Sequence, residues 1–223
     1  MSIDTKVGGP GSRISLAIIA ATLAPFWKDL REEQLSAIQE YLFVLLKWNQ
    51  SINLTAIEDP MEVLARHFGE SLFGASVLKI GKSRLADVGT GAGFPGLPMK
   101  IASPEMELVL FEPSLKKCAF LTEISQRLKL SGVTIRRERY EEFRPQTRSD
   151  SFDFVCARAL GNYPMFLPWA RRVLNPSGRV VLWLGTDESI RLGRRREFLW
   201  DAPIAIPESR RRVILIGRSA SGG

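Results

Sequence analysis

The chain has 223 residues, 45% of them hydrophobic, and its 31 Lys and Arg outnumber its 24 Asp and Glu to give a formal net charge of +7. A chain of this length and composition can bury one substantial core, so we expect one catalytic domain with an N-terminal appendage. The excess of positive charge suits a partner that carries phosphates.

Cysteine and histidine are scarce in this chain. The two cysteines, Cys118 and Cys156, and the one histidine, His67, exclude a three- or four-ligand metal site built without carboxylates. No residues stand at metal-ligand spacing, so we expect no metal. The same scarcity of cysteine favours the reducing cytoplasm.

The N-terminal third predicts a helical cap at residues 13–80, followed by the catalytic domain at residues 81–223. Residues 1–12 contain three glycines and a proline and predict a flexible leader. The apolar run at residues 14–24 superficially resembles a secretory signal. Because it is too short to span a bilayer, a helix packed on the cap is the better explanation.

Two longer helices are predicted inside the cap. At residues 32–48, apolar side chains recur every three and four positions and would line one face of a helix. A second helix is predicted at residues 60–76 and carries His67, for which we expect a structural role. The apolar face of the first helix consists of Leu35, Ile38, Tyr41, Leu42, Leu45 and Trp48.

The segment Asp87-Val-Gly-Thr-Gly-Ala-Gly-Phe-Pro-Gly96 follows an apolar strand-like run and predicts the nucleotide-binding turn of a doubly wound α/β sheet. Gly89, Gly91 and Gly93 let the backbone turn sharply and approach a ligand closely. Glu112 closes the next apolar run, about 20 residues after the turn, where a carboxylate can accept hydrogen bonds from both hydroxyls of an adenosine ribose. The arrangement predicts a cofactor that contains adenosine.

Asp87 distinguishes between the possible cofactors. A carboxylate at the mouth of the turn would repel the pyrophosphate of a dinucleotide but suits the ammonium and sulfonium groups of S-adenosylmethionine. The G-x-G-x-G spacing also departs from the dinucleotide fingerprint G-x-G-x-x-G. We therefore predict S-adenosylmethionine rather than NAD, with the alternative that Asp87 only caps the loop.

Beyond the turn, apolar strands alternate with helical stretches, as right-handed βαβ units require. A final hairpin of residues 204–206 and 211–216 is predicted to close the sheet. The other predicted elements are strands at residues 108–111, 133–136, 152–157 and 178–184, and helices at residues 114–129, 164–174 and 188–199.

One set of segments combines a Trp-Asn motif with the glycine turn: Leu46-Lys-Trp-Asn49, Ile52-Asn-Leu-Thr55, Arg66-His67, Asp87-Val-Gly-Thr-Gly-Ala-Gly-Phe-Pro-Gly96 and Lys116. This set resembles the bacterial glucose-inhibited-division-B proteins, also called RsmG, which are ribosomal RNA methyltransferases. The resemblance extends from about Glu32 to the last strand, and the combination is more specific than either motif alone.

The resemblance implies the class I S-adenosylmethionine-dependent methyltransferase fold. This is an α/β, Rossmann-like doubly wound sheet, mostly parallel with a final antiparallel strand, here joined to an N-terminal helical cap. It further implies methylation of N7 of one guanine in 16S ribosomal RNA, either as free RNA or within a small ribosomal subunit particle. We expect a monomer with no membrane attachment.

The resemblance also implies site residues. Phe94 is expected to cover the cofactor, Tyr140 and Glu141 to meet the adenine edge, and Arg158 to lie in the crevice at the carboxyl ends of the strands. Without the resemblance, core packing is the simpler expectation for Tyr140 and a solvated surface for Glu141. The complete predicted cofactor set is Asp87, Gly89, Gly91, Phe94, Glu112, Tyr140, Glu141 and Arg158.

Guanine N7 carries an in-plane lone pair and no proton, so direct methyl displacement there needs no general base. Catalysis would then rest on positioning and exclusion of water. Lys116 and Arg139 border the expected cofactor site and match basic positions of the family, so we predict that they hold the RNA. The family usually has Leu-Lys-Gly where this chain has Trp183-Leu184-Gly185. Either Arg191 or Arg194 replaces the lysine, or the affinity for RNA and the choice of target differ.

Three alternatives remain open at this point. A related methyltransferase would act on another RNA site or on a small molecule. An NAD-dependent oxidoreductase on a similar sheet would need a catalytic group, and the chain offers none beyond His67. A non-catalytic RNA-binding protein would retain the cofactor pocket without turnover.

Overall fold

The computed structural model describes residues 13–219, so the predicted leader at residues 1–12 lies outside the described residues. This part of the chain folds into an eight-stranded sheet with helices on both faces. The strands are β1 (Arg84–Val88), β2 (Glu107–Phe111), β3 (Val133–Arg136), β4 (Phe152–Arg158), β5 (Leu174–Gly185), β6 (Phe198–Trp200), β7 (Ile204–Ala205) and β8 (Arg212–Ser219).

The helices predicted for the cap are present. The run at residues 14–24 forms α1 (Leu16–Leu23), and the periodic apolar segment forms α2 (Glu32–Asn49). The helix predicted at residues 60–76 is built from α3 (Pro60–Val63), a π-helical turn (Leu64–Gly69) and α4 (Glu70–Leu78). Such π-helical turns are frequent at functional sites, and this one carries His67.

The remaining helices connect the strands. They are α5 (Gly96–Ala102), α6 (Leu115–Arg127), α7 (Tyr163–Val173) and α8 (Thr186–Leu192), together with short 3-10 turns at Tyr140–Glu142 and Arg148–Asp150.

The sheet has the order β3-β2-β1-β4-β5-β8-β6, with β7 also paired to β8. Strands β1 to β5 pair in parallel, and β8 runs antiparallel to β5. The predicted α/β class and doubly wound, mostly parallel sheet are therefore confirmed. The last strand is not the only antiparallel element, because β6 and β7 both pair with its outer edge.

The helix predicted at residues 188–199 is wrong in its second half. The α8 helix ends at Leu192 and is followed by Gly193, whose N–H bonds back to the carbonyl of Ser189 at 2.8 Å. Beyond it, Phe198 is buried and Leu199 is exposed, which is the alternation of a half-buried strand. The ring of Trp200 packs where a Cβ on Gly217 of β8 would stand.

The two faces of the sheet bury separate apolar clusters. Side chains such as Leu85 and Trp183 point to the face covered by the cap, α5 and α6. Their strand neighbours, such as Ala86 and Leu184, point to the face covered by α7 and α8. The cap and one face of the sheet thus share a hydrophobic core. The domain boundary between residues 80 and 81 stays a prediction.

The α4 helix of the cap is held against β5 by Trp183. The indole N–H of Trp183 donates to the carbonyl of Glu70 at 3.0 Å, and the ring fills the space beside Gly74. Among the described residues, no helix has the length and apolar character that crossing a membrane requires.

We expect Gly74→Ala to lower the free energy of unfolding by about 1 to 3 kcal/mol, because the new Cβ would overlap the Trp183 ring. Helix propensity alone predicts the opposite sign, since alanine is favoured over glycine by about 1 kcal/mol in a helix. Urea denaturation measures the difference. The matched control is Gly81→Ala, because a Cβ there meets nothing within 4 Å and should leave the stability nearly unchanged. A Gly74→Ala protein as stable as wild type would contradict the tight fit.

Candidate functional site

The glycine turn leaves β1 at the carboxyl edge of the parallel strands. The N–H of Gly89 donates to the carbonyl of Phe111 at 3.0 Å, which joins the start of the turn to the end of β2. Gly93 has a φ of +90° and lies so close to the cap that a Cβ would stand 2.5 Å from the Tyr41 hydroxyl. Only glycine fits there, because both the backbone conformation and the space exclude a side chain.

Asp87 is completely buried beneath this turn. Its Oδ2 accepts hydrogen bonds from the Thr90 hydroxyl at 2.6 Å and from the Gly96 N–H at 2.8 Å. These are the bonds of a loop-capping aspartate. Its Oδ1 is buried with no hydrogen-bond partner among the described residues. Burial raises the pKa of Asp87 to about 6, against the hydrogen bonds from Thr90 and Gly96 and the positive charge of Arg158, which favour the carboxylate.

Glu112 braces the other side of the turn. Its Oε2 accepts the N–H of Gly91 at 3.0 Å, and its Oε1 accepts the N–H of Ser114 at 2.9 Å. The carboxylate is nearly fully buried at the end of β2, where the prediction from sequence placed it. Each oxygen keeps a second lone pair, so these backbone bonds leave acceptor capacity for ribose hydroxyls.

Phe94 lies between the turn and the cap. Its ring stacks on Tyr41 at 5.4 Å and on His67 at 4.8 Å between ring centroids, and it meets Phe68 edge-on at 5.1 Å. The Tyr41 hydroxyl donates to the carbonyl of Ala92 within the turn. The ring of Phe94 is therefore engaged by the cap, and its expected role as a cover for the cofactor stays a prediction.

His67 connects the cap to the end of β4. The Arg158 guanidinium donates to Nδ1 of His67, so the ring hydrogen is on Nε2, which donates to the Thr55 hydroxyl at 2.7 Å. Burial, followed by the positive charges of Arg158, Arg66 and Arg212, lowers the pKa of His67 to about 3. The expected structural role fits this geometry, although sequence alone did not show that His67 borders the turn.

Arg158 is positioned by the cap as well as by β4. Besides His67, its guanidinium bonds the carbonyl of Arg66 at 3.1 Å. The remaining N–H groups are the ones that a ligand in the crevice can use, since a guanidinium has five donors. The predicted contact between Arg158 and the cofactor stays a prediction.

Tyr140 and Glu141 follow β3 in a 3-10 turn. The Tyr140 ring packs edge-on against Trp169 at 5.0 Å and Phe166 at 5.8 Å, so it belongs to the core on the α7 side. Burial, with the adjacent Glu141 carboxylate, raises the pKa of Tyr140 to about 12. Glu141 pairs with Arg139 at 3.0 Å through Oε1, while its Oε2 is buried without a hydrogen-bond partner. The predicted contact between Glu141 and the adenine edge stays a prediction.

The two predicted RNA contacts are on the surface. Lys116 is exposed in the first turn of α6, four residues after Glu112. Arg139 is exposed directly before the 3-10 turn at Tyr140–Glu142. Leu184, which stands where the family usually has lysine, is buried in the α8-side core opposite Val213. Of the two candidate replacements, Arg191 is exposed on α8 and pairs with Glu188 at 2.8 Å, and Arg194 is exposed beyond the helix.

Reasoning from sequence missed Glu70, Arg66 and Arg212 as neighbours of this site. Glu70 is buried and pairs with Arg212 at 2.8 Å, and burial raises its pKa above the usual range. The Arg66-His67 pair was visible as a motif, but nothing local in the sequence shows that Arg212 reaches Glu70. The antiparallel pairing of β8 with β5 brings it there.

The chain matches the family model described as GidB, rRNA small subunit methyltransferase G, over residues 34–199. The chain belongs to this family. The match includes both the cap helix α2 and the glycine turn, so the predicted resemblance is confirmed.

Curated relatives agree with the family assignment. The Ribosomal RNA small subunit methyltransferase G of Sorangium cellulosum is 37% identical over 79% of this chain and 78% of its own length. The protein of the same name from Acetivibrio thermocellus is 33% identical over 86% of this chain and 83% of its own length.

Solved structures agree on the fold. A SAM-dependent O-methyltransferase from Thermotoga maritima superposes with a TM-score of 0.58 at 13% identity, covering 82% of this chain and 72% of its own. A SAM dependent methyltransferase from Aquifex aeolicus superposes with a TM-score of 0.56 at 16% identity, covering 71% of this chain and 93% of its own. At these identities the likeness shows the class I methyltransferase fold alone.

The ring of His67 is expected to stay neutral wherever the protein is folded. Because its folded pKa lies below the unfolded value of about 6.5, His67 favours folding above that pH and loses this contribution as the pH falls towards 3. The chain has one histidine, so its ring resonances need no assignment by mutagenesis. We expect NMR spectra to show no histidine titration between about pH 8 and about pH 5. A titration midpoint near about 6.5 would contradict the buried contact with Arg158.

Proposed function

We propose that this protein transfers the methyl group of S-adenosylmethionine to N7 of one guanine in 16S ribosomal RNA. The observation that carries the proposal is the glycine turn held between two buried carboxylates, Asp87 and Glu112, at the carboxyl edge of the parallel strands. Membership of the rRNA small subunit methyltransferase G family directs the reaction to ribosomal RNA.

The residues of the turn fit this cofactor. The buried carboxylate of Asp87, with one unpartnered oxygen, favours a cofactor that brings positive charge, and it disfavours the pyrophosphate of NAD. Glu112 has acceptor capacity for the ribose hydroxyls, and Glu141 has a buried oxygen for the adenine edge. The backbone of Gly89 and Gly91, the Phe94 segment, Tyr140 and Arg158 complete the proposed binding site.

S-adenosylmethionine, when bound, supplies the electrophilic methyl group. The protein contributes position, because the cap and the turn fix the walls of the crevice. Guanine N7 attacks through its own lone pair, so no side chain has to remove a proton. His67 is not arranged as a base, because its Nδ1 lone pair is engaged by Arg158. Cys156 is not arranged as a nucleophile, because it is fully buried and burial raises its pKa.

The structural context supports further parts of the proposal. The site is assembled from the cap and the sheet of one chain, which suits a monomer. Cys118 and Cys156 are buried, unpaired thiols, which suits the reducing cytoplasm. The exposed cations Lys116 and Arg139 near the site favour RNA over a small molecule as substrate, presented as 16S RNA or as a small subunit particle.

The test is transfer of labelled methyl from S-adenosylmethionine to naked 16S RNA and to 30S particles, both from cells that lack the endogenous enzyme. We expect incorporation into one nucleotide, identified as N7-methylguanosine after nuclease digestion. The preferred form of the substrate is the one with the higher kcat/KM. Binding of the cofactor without methyl transfer to either substrate would contradict the proposal.

Lys116→Ala and Arg139→Ala are each expected to raise the KM for RNA about tenfold, equivalent to about 1.4 kcal/mol. Cofactor affinity, measured by calorimetry, should change less than about twofold in Lys116→Ala, because that charge is not needed for the turn. Arg139→Ala also removes the ion-pair partner of Glu141, so Lys116→Ala is the cleaner test. Lys82→Ala is the matched control, since Lys82 is exposed before β1 at the opposite edge of the sheet. An equal loss of RNA and cofactor binding would show that the cation serves the cofactor instead.

A further inference from the structure

Three arginines from distant parts of the sequence meet at the edge where the parallel strands end. Arg66 lies in the π-helical turn of the cap, Arg158 is the last residue of β4, and Arg212 is the first residue of β8. Because β8 is antiparallel to β5, its first residue stands opposite Gly185, the last residue of β5. We call Arg66, Arg158 and Arg212 the arginine cluster.

Hydrogen bonds and ion pairs hold the cluster around two buried side chains. Arg158 bonds His67 and the backbone carbonyl of Arg66, and Arg212 pairs with Glu70. Burial, together with the charges of Arg212 and Arg66, lowers the pKa of Arg158 to about 10, against the opposing charges of Glu70 and Asp87. Arg66 and Arg212 therefore both repel the Arg158 guanidinium within a partly buried site.

The carboxylates near the cluster do not balance its charge. Two buried carboxylates stand against the three arginines: Glu70 is paired to Arg212, with its pKa raised by burial, and Asp87 acts on Arg158 through its charge without an ion pair. Glu62 pairs with Arg66 at 2.7 Å, but that pair is about half exposed and weakly coupled. His67 is neutral, so it contributes no positive charge and no compensating negative charge. The cluster keeps an excess of positive charge that an anion would relieve.

The cluster is open to an incoming ligand. The side chain of Arg66 is 45% exposed and that of Arg212 is 25% exposed. Nε of Arg212 has no hydrogen-bond partner among the described residues but is buried, so a ligand would reach the exposed part of the guanidinium. Planar guanidinium groups bind phosphate oxygens in pairs, which makes this donor set suited to a phosphate group.

We propose that the arginine cluster binds a backbone phosphate of the RNA strand that carries the target guanine. The inference rests on the proposed function and adds to it a phosphate site between the cap and the final strand. The bound phosphate places the strand along the carboxyl edge of the sheet, beside the glycine turn. Arg66 and Arg212 act as positioning residues, because they hold the strand rather than the reacting atoms.

The test uses Arg66→Gln, Arg212→Gln and the double variant Arg212→Gln/Glu70→Gln, each measured on whichever RNA substrate the wild type methylates. The double variant is included because Arg212→Gln alone leaves Glu70 buried and unpaired, which destabilises the fold for reasons unrelated to RNA. Arg66→Gln avoids this problem, since the partner Glu62 is exposed and the Arg66 carbonyl still accepts from Arg158.

We expect Arg66→Gln and the double variant to raise the KM for RNA about tenfold or more, with cofactor affinity within about twofold of wild type. The magnitude of the slope of log affinity against log salt concentration should fall by about 1 at most in each variant, because the cluster binds one phosphate. Arg218→Gln is the control, because Arg218 is also on β8 and pairs with Asp201, but it lies at the other end of the strand.

Three results would overturn this inference alone and leave the proposed function standing. An unchanged KM and salt slope in Arg66→Gln and the double variant would exclude a phosphate at the cluster. Equal loss of cofactor affinity would assign the anion to the carboxylate of the cofactor. Recovery of wild-type KM in the double variant, with a high KM in Arg212→Gln, would show that Arg212 serves only to pair Glu70. Failure of the wild type to methylate any RNA would instead overturn the proposed function, and this inference with it.

Discussion

The contact between Phe94 and the cap is the interaction on which the site depends. The Phe94 ring stacks on Tyr41 and His67, so one side chain of the glycine turn is held by two helical segments of the cap. Each such aromatic pair contributes about 0.5 to 1.5 kcal/mol beyond its buried area. The Tyr41 hydroxyl adds a buried bond to the turn backbone. The cap therefore does more than cover the sheet, because it sets the shape of the cofactor turn.

Two buried carboxylates, Asp87 and Glu112, also hold the glycine turn. Asp87 ties Thr90 to Gly96, and Glu112 ties Gly91 to the start of α6. Burying two carboxylates is costly unless they are well bonded, and Asp87 keeps an unpartnered oxygen. The same two groups thus shape the loop and give it a negative potential, which explains why the loop-capping role of Asp87 does not compete with its proposed role toward a cationic cofactor.

The order and direction of the strands bring the positive side chains of the crevice together. His67 bonds both Thr55 and Arg158 and stays neutral. Arg158 therefore joins the cap to β4 without a second positive charge on the His67 ring. The antiparallel final strand then brings Arg212 to the same edge. The resulting arrangement separates a negative turn from a positive rim, and the proposed function assigns the first to the cofactor and the second to RNA.

The sequence by itself determined the features that depend on neighbouring residues. The glycine turn, Glu112 at the end of β2 and the apolar face of α2 follow from local spacing, and the structure places all three where they were predicted. The end of α8 was misjudged, because the strand pairing of Phe198 and Trp200 with β8 outweighs local helical pattern. Tertiary structure alone decided that Phe94 faces the cap, that Leu184 is buried and that Arg66 and Arg212 meet Arg158. These outcomes depend on strand order and helix packing, which join residues far apart in the chain and leave no periodic signal in the sequence.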